Sequence, residues 1–117
     1  MIVTHHPCAI IAATLVAACT TALPTPSTDQ EKNDAIKAWF VCLHAQARKM
    51  DDGRSDAASI ALAIAPLCYA EFKNSLNVEA KGMNPQVQRI LEDRVQGKQI
   101  EYATAAVLDE RKAREGR

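Results

Sequence analysis

The side chains of this sequence that could do chemistry are four cysteines, several carboxylates and one internal histidine. His44 follows Cys42 by two residues in "CLHA", and Cys68 is the next cysteine along the chain. A strong zinc motif needs four ligands, and on a helix Cys42 and His44 would point about 200° apart, away from any shared ion. The sequence therefore predicts no metal site, and it favours a disulfide between Cys42 and Cys68 with His44 exposed.

Groups that could support catalysis are sparse. Beyond residue 6 the only histidine is His44, and no serine stands between glycines as a nucleophile would. Paired carboxylates occur at Asp51 with Asp52 and at Glu92 with Asp93. We expect these pairs in a turn and on a solvated helix face, where a carboxylate stays ionised. The sequence therefore predicts a non-enzymatic protein that needs no cofactor.

Charge divides the chain into two parts. Residues 1–28 contain no Asp, Glu, Lys or Arg, whereas residues 29–117 contain all 14 acidic and all 14 basic side chains. The zero net charge argues against a nucleic-acid partner, because counterion release needs a dense basic patch. The end of the chain, "ERKAREGR", carries charges of both signs and is typical of a solvated helix end.

The uncharged part contains an apolar run, Cys8–Cys19, of 12 residues. A bilayer span takes about 20 apolar residues, so this length fits the core of a signal peptide better than a membrane helix. Small or compact side chains precede Cys19, and they suit the cleft of a signal peptidase. We therefore expect a signal peptide over 1–18. The Pro- and Thr-rich residues 19–28 are expected to form a flexible tether to a domain at 29–117.

The end of the apolar run, "LVAAC" at 15–19, resembles the lipobox of bacterial lipoproteins. This sequence has Val16 where the family usually has Leu, and no Lys or Arg precedes the run. The resemblance implies that the Cys19 thiol is joined to diacylglycerol and that Cys19 becomes the acylated first residue. The uncharged Thr20 implies sorting to the outer membrane, facing the periplasm.

If Cys8 leaves with the signal peptide and Cys19 carries lipid, Cys42 and Cys68 remain to pair. We expect them on facing sides of two antiparallel helices, in an oxidising compartment where such a pair forms a disulfide. The crosslink would stabilise the fold by about 3 to 4 kcal/mol. A cysteine in each arm around "DDGRSDA" is also similar to small exported helical proteins of uncharacterised function in proteobacteria. That likeness implies no activity.

Helical periodicity runs through residues 29–117, and no strand-like alternation occurs. Thr28 and Glu31 match a capping box that begins the first helix. "DDG" ends that helix and Ser55 is expected to cap the second, which Pro66 should kink without dividing it. The first apolar stripe comprises Ile36, Phe40, Leu43, Ala47 and Met50, with Trp39 beside it. The second comprises Ala57, Ile60, Ala61, Ile64, Cys68, Phe72 and Leu76.

A third helix is predicted from Asn84 as its cap and Pro85 in its first turn. Its apolar positions are Val87, Ile90, Leu91 and Val95. Gly97 should bend or end it before a last helical piece from Gln99 to about Arg114. The expected fold is all-α, a small bundle of three to four helices with one disulfide.

These features predict a lipid-anchored protein of the cell envelope that binds or holds a partner near the membrane. Its partners would be the membrane, through the lipid on Cys19, and a protein that contacts Trp39 and Tyr69 if both are exposed. The alternative is a soluble periplasmic or secreted helical protein, such as an inhibitor or small-ligand carrier. Ordinary signal peptidase would release that form near Ala18 or Ala22.

Overall fold

The computed structural model describes residues 22–117, so the predicted signal peptide (1–18) and the predicted lipid attachment at Cys19 lie outside the described residues. The described part is all-α, as predicted, and contains no strand. Its helices are α1 (Asp29–Met50), α2 (Ala57–Ile64), a 3-10 turn (Ala65–Cys68), α3 (Tyr69–Ala80), α4 (Pro85–Gln96) and α5 (Gln99–Glu115). None of these helices is long and apolar enough to cross a membrane.

The first helix begins at the predicted capping box. The Glu31 backbone N–H donates to Thr28 Oγ1 at 3.2 Å, and the Thr28 backbone N–H donates to Glu31 Oε2 at 2.7 Å. These two bonds satisfy donors that a helix start leaves without partners. The prediction from Thr28 and Glu31 is confirmed.

The buried face of α1 agrees with the predicted stripe at Leu43 and Ala47 but departs from it towards both ends of the helix. Its buried side chains are Ala35, Trp39, Leu43 and Ala47, spaced four residues apart. Ile36 and Met50, which the stripe placed in the core, are 38% and 41% exposed. The large indole of Trp39 takes the inward position because Phe72 and Tyr102 lie around it, and this moves Ile36 to the edge.

The turn after α1 differs from the prediction in its cap. Asp56, not Ser55, caps α2, because its carboxylate accepts from the Ala58 and Ser59 backbone N–H groups. Ser55 is used to close the turn instead: its backbone N–H and its hydroxyl both donate to the Asp52 carboxylate. Both residues are good caps, and the tertiary position of the turn decides between them.

Pro66 interrupts the second helical arm more strongly than a kink. Because proline has no N–H, it cannot donate to the Leu62 carbonyl, and the chain tightens into the 3-10 turn before α3 begins. The predicted single kinked helix is therefore two α-helices, α2 and α3, joined by this turn. Cys68 ends the turn and is fully buried.

The predicted disulfide is present. Cys42 in α1 is bonded to Cys68, and their Cα atoms are 5.8 Å apart. The core that the bond joins includes Leu43, Ile64 and Val107, which are among the largest fully buried side chains. The bond joins the first helix, through the partly buried Cys42, to the second arm, through Cys68 in the core.

The last two helices also begin where the sequence predicts. Asn84 caps α4 by accepting from the Gln86 and Val87 backbone N–H groups, and Pro85 occupies its first position. α4 ends before Gly97 and α5 starts at Gln99. α4 packs mainly on α3 and contributes no buried residue, whereas α5 packs on both α1 and α2.

Pairs of contacting residues define the directions of the helices. Trp39 meets Tyr102, His44 meets Glu110 and Asp51 meets Arg111, so α1 and α5 run parallel. Lys32 meets Glu79 and Trp39 meets Phe72, so α3 runs antiparallel to α1. The fold is thus a helical bundle of three arms: α1 is the first, α2 and α3 form the second, and α4 and α5 form the third.

Candidate functional site

A buried carboxylate, Asp51, lies where the α1–α2 turn meets the end of α5. Its side chain is fully buried, and it accepts hydrogen bonds from Arg111 Nη2 at 2.7 Å and Arg111 Nε at 3.0 Å. Arg114 also donates to it, as does the Gly53 backbone N–H at 3.1 Å. Arg111 additionally donates to the Ser55 carbonyl at 2.6 Å. The expectation of a solvated Asp51 was wrong, because Arg111 and Arg114 pair with its buried carboxylate. The helix end itself is exposed over residues 112–117, as predicted.

The pKa of Asp51 lies far below its usual range. The main cause is the hydrogen bonding of its carboxylate by Arg111, which outweighs the opposite effect of burial. The Gly53 N–H and Arg114 lower the pKa further. Asp51 is therefore ionised at neutral pH, and its charge holds α5 on the turn.

A second polar cluster lies next to the first, since its central residue, Glu110, directly precedes Arg111 on α5. Glu110 is almost fully buried, and its Oε1 accepts from Arg48 Nη1 at 2.7 Å and lies 2.9 Å from His44 Nδ1. Burial raises the pKa of Glu110, but the hydrogen bond from His44 and the charge of Arg48 together lower it below its ordinary value. His44 was expected to be exposed. It is instead partly buried, and the carboxylate of Glu110 orients its ring.

Aromatic side chains pack next to this cluster. The Trp39 ring lies 5.3 Å from Phe40, 5.0 Å from Phe72 and 5.4 Å from Tyr102. Phe40 and Tyr102 also meet edge to face at 5.6 Å. Trp39 and Phe72 are buried, while Phe40 is partly buried and Tyr102 is exposed at the surface. The aromatic core therefore reaches the surface between α1 and α5.

Two open grooves flank the point where these aromatics reach the surface. One has a volume of about 340 Å³ and lies between α1 and α5; the other, of about 370 Å³, runs along the outer side of α1. Phe40 and His44 line both grooves. We call this region the Phe40–His44 surface; its members are Ile36, Phe40, Val41, His44 and Tyr102.

The Phe40–His44 surface combines apolar and polar groups. Val41 is 57% exposed and Ile36 and Tyr102 are each 38% exposed, so apolar side chains lie next to one another at the surface. His44 lies beside them with its ring held by Glu110. Adjacent exposed apolar groups with a few fixed polar groups are typical of a contact surface for a partner.

The structure separates the two residues predicted as a partner contact. Trp39 is only 5% exposed and belongs to the core, whereas Tyr69 is 50% exposed. Both contact Phe72, with ring centroids 5.0 Å and 6.2 Å from it. The condition that made Trp39 a contact residue, its exposure beside Tyr69, is not met.

Tyr69 lies on another open groove, of about 480 Å³, next to Leu62, Pro66 and Ile100. In the part of the chain from residue 22 onwards, no three His, Cys, Asp or Glu side chains are grouped as metal ligands would be.

No family model matches this chain, and no curated protein and no solved structure matches it.

Proposed function

We propose that this chain is a lipid-anchored, non-enzymatic binding module of the bacterial cell envelope, held at the outer membrane and facing the periplasm. The observation that carries the proposal is Cys19 at the end of a short apolar run, within the lipobox-like "LVAAC". Acylation there would fix the chain to a bilayer, because each buried methylene contributes about 0.8 kcal/mol.

The disulfide supports an exported location. Disulfides such as Cys42–Cys68 persist in oxidising compartments, among them the bacterial periplasm, and are rare in the cytosol. Cys68 is fully buried and its bond crosslinks the core, as expected of a structural disulfide. This support for export is independent of the leader sequence, because Cys42 and Cys68 both belong to the folded domain.

The Phe40–His44 surface supports a binding role. It offers exposed apolar groups for contact area and a ring, His44, whose orientation Glu110 fixes before any partner arrives. Preorganised groups lower the entropic penalty of association. We propose that this surface, between α1 and α5, is where the anchored domain holds a protein partner.

Metabolic labelling of the full chain with a palmitate analogue tests the anchor. The chain should be labelled when produced in a bacterium with two membranes, and Cys19→Ser should abolish the label. Cys8→Ser is the matched control, because Cys8 lies at the other end of the same apolar run and should not affect labelling. Label that survives in Cys19→Ser would end the proposal.

Fractionation separates the proposal from the soluble alternative. An acylated chain should stay with outer membranes after washing with high salt, because the acyl chains are not released by screening of charge. A chain in the periplasmic or culture supernatant, with an unmodified amino terminus near Cys19 or Leu23, would instead establish the soluble helical protein.

A further inference from the structure

The segment just before α1 packs against the turn between α3 and α4. Gly82, in this turn, has φ of +83°, and a Cβ built on it would lie 2.8 Å from Pro26 Cγ and 2.9 Å from the Pro24 carbonyl oxygen. Contact this close leaves no room for a side chain at position 82. Ser27, which follows Pro26 in the chain, is buried. Residues 24–27 therefore form a strap across the α3–α4 turn, which we call the proline strap.

Two prolines suit this packing. Each fixes its own φ and restricts the residue before it to extended backbone, so the strap loses little conformational entropy when it packs. The capping box at Thr28 then fixes the direction in which the chain enters α1. The carboxyl-terminal half of the predicted tether is thus part of the folded domain.

The strap shortens the reach of the anchor. Between Cys19 and Pro24 there are five Cα–Cα steps, which span at most about 18 Å. A tether that was free as far as Asp29 would have ten steps and would reach about 35 Å. The α3–α4 turn must then lie close to whatever surface holds Cys19.

The opposite end of the bundle is far from this turn. α1 has 22 residues and so extends about 33 Å from the proline strap to Asp51, where Arg111 and Arg114 close the fold. A short attachment at one end of an elongated bundle orients the bundle as well as holding it.

We propose that the proline strap orients the domain on the membrane: the bilayer that holds the lipid of Cys19 lies against the α3–α4 end, and the Asp51–Arg111 end points away from it. Three exposed apolar side chains belong to this membrane-proximal part of the domain: Leu23, directly before the strap, and Val87 and Ile90 on α4. The partner of the α3–α4 end is thus a lipid bilayer. The inference rests on the proposed acylation of Cys19.

Energy transfer from the domain to acceptor-labelled lipids tests this orientation. A donor dye is attached through Gln86→Cys, in the first turn of α4, or through Lys112→Cys, near the end of α5; both positions are exposed. Each purified acylated chain is reconstituted into phosphatidylethanolamine and phosphatidylglycerol vesicles that carry acceptor headgroups. We expect much more efficient transfer from position 86 than from position 112. Equal transfer, or more from position 112, would overturn the proposal.

A strap-releasing variant makes the test specific. Gly82→Ala adds a Cβ that collides with Pro26, so the difference in transfer between positions 86 and 112 should shrink towards zero. Gly53→Ala is the matched control: Gly53 also has a positive φ, of +70°, but open space surrounds it, so the difference should persist. If Gly82→Ala fails to fold, Pro26→Gly releases the strap from the other side.

The outcomes separate this inference from the proposed function. A chain that is acylated, yet gives equal transfer from both positions, overturns the orientation and leaves the anchor intact. A chain that takes up no palmitate analogue overturns both. A difference that persists unchanged in Gly82→Ala and Pro26→Gly would show that the proline strap does not set the orientation.

Discussion

Arg111 binds the buried carboxylate of Asp51 through two of its guanidinium nitrogens, at 2.7 Å and 3.0 Å, across 60 residues of sequence. The same guanidinium reaches the Ser55 carbonyl, so one side chain of α5 holds both ends of the α1–α2 turn. Its planar donor geometry allows this, and a lysine could not provide it. A buried charge pair thus closes this end of the bundle.

Removing the Asp51 charge should destabilise the fold strongly. Asp51→Ala leaves Arg111 and Arg114 without their carboxylate, and breaking a buried pair from one side costs about 3 kcal/mol or more. The free energy of unfolding, measured by urea titration, should fall by that order. Asp93→Asn is the control, because Asp93 is exposed on α4, and its effect should stay within about 0.5 kcal/mol. Equal effects of the two substitutions would contradict this account of the pair.

Acid should weaken the fold through the same carboxylates. The pKa values of Asp51 and Glu110 are lower in the folded chain than their ordinary values, so the unfolded chain binds protons more readily. Their contribution is fully present above the unfolded pKa values, about 4, and is lost progressively as the pH falls below them. Unfolding titrations from pH 6 to pH 2 should show this loss. Asp51→Asn should flatten the profile, and an unchanged profile would contradict the assignment.

Reduction of the disulfide should lower the melting temperature without changing the fold class. Cys42 and Cys68 are 26 residues apart, and a crosslink of that length stabilises by about 3 to 4 kcal/mol in the chain-entropy model. A Cys42→Ala, Cys68→Ala double variant should therefore melt at a clearly lower temperature while its circular dichroism stays helical. The wild type in reductant should behave in the same way. Identical melting curves with and without reductant would show that the bond adds no stability.

Local signals in this sequence predicted local structure well. The capping box at Thr28, the cap at Asn84 and the disulfide pair were all identified, because each depends on a few residues and on helical spacing. The prediction that Ser55 caps α2 was wrong. Ser55 donates to the Asp52 carboxylate within the turn, and Asp56 caps the helix.

Long-range pairing was not predictable in the same way. No pattern in "ERKAREGR" indicates that Arg111 and Arg114 bind Asp51, because these contacts form only when α5 packs parallel to α1. The same placement buries Glu110 and brings it to His44. The Phe40–His44 surface depends on that packing of α5 against α1. From the sequence alone, Ile36 and Phe40 were recognised as apolar positions of α1 but were assigned to the core.

Photo-crosslinking in the cell envelope should distinguish the Phe40–His44 surface from the groove at Tyr69. A photoreactive residue at Val41 should give a specific adduct, since Val41 is exposed and lines one groove of the proposed surface. One at Leu62, equally apolar and beside Tyr69, should give none. Both positions are more than half exposed, so neither substitution should alter stability. His44→Ala should reduce the Val41 adduct, because the oriented ring is lost while the apolar groups remain. Adducts at Leu62 and none at Val41 would move the binding surface to the Tyr69 groove.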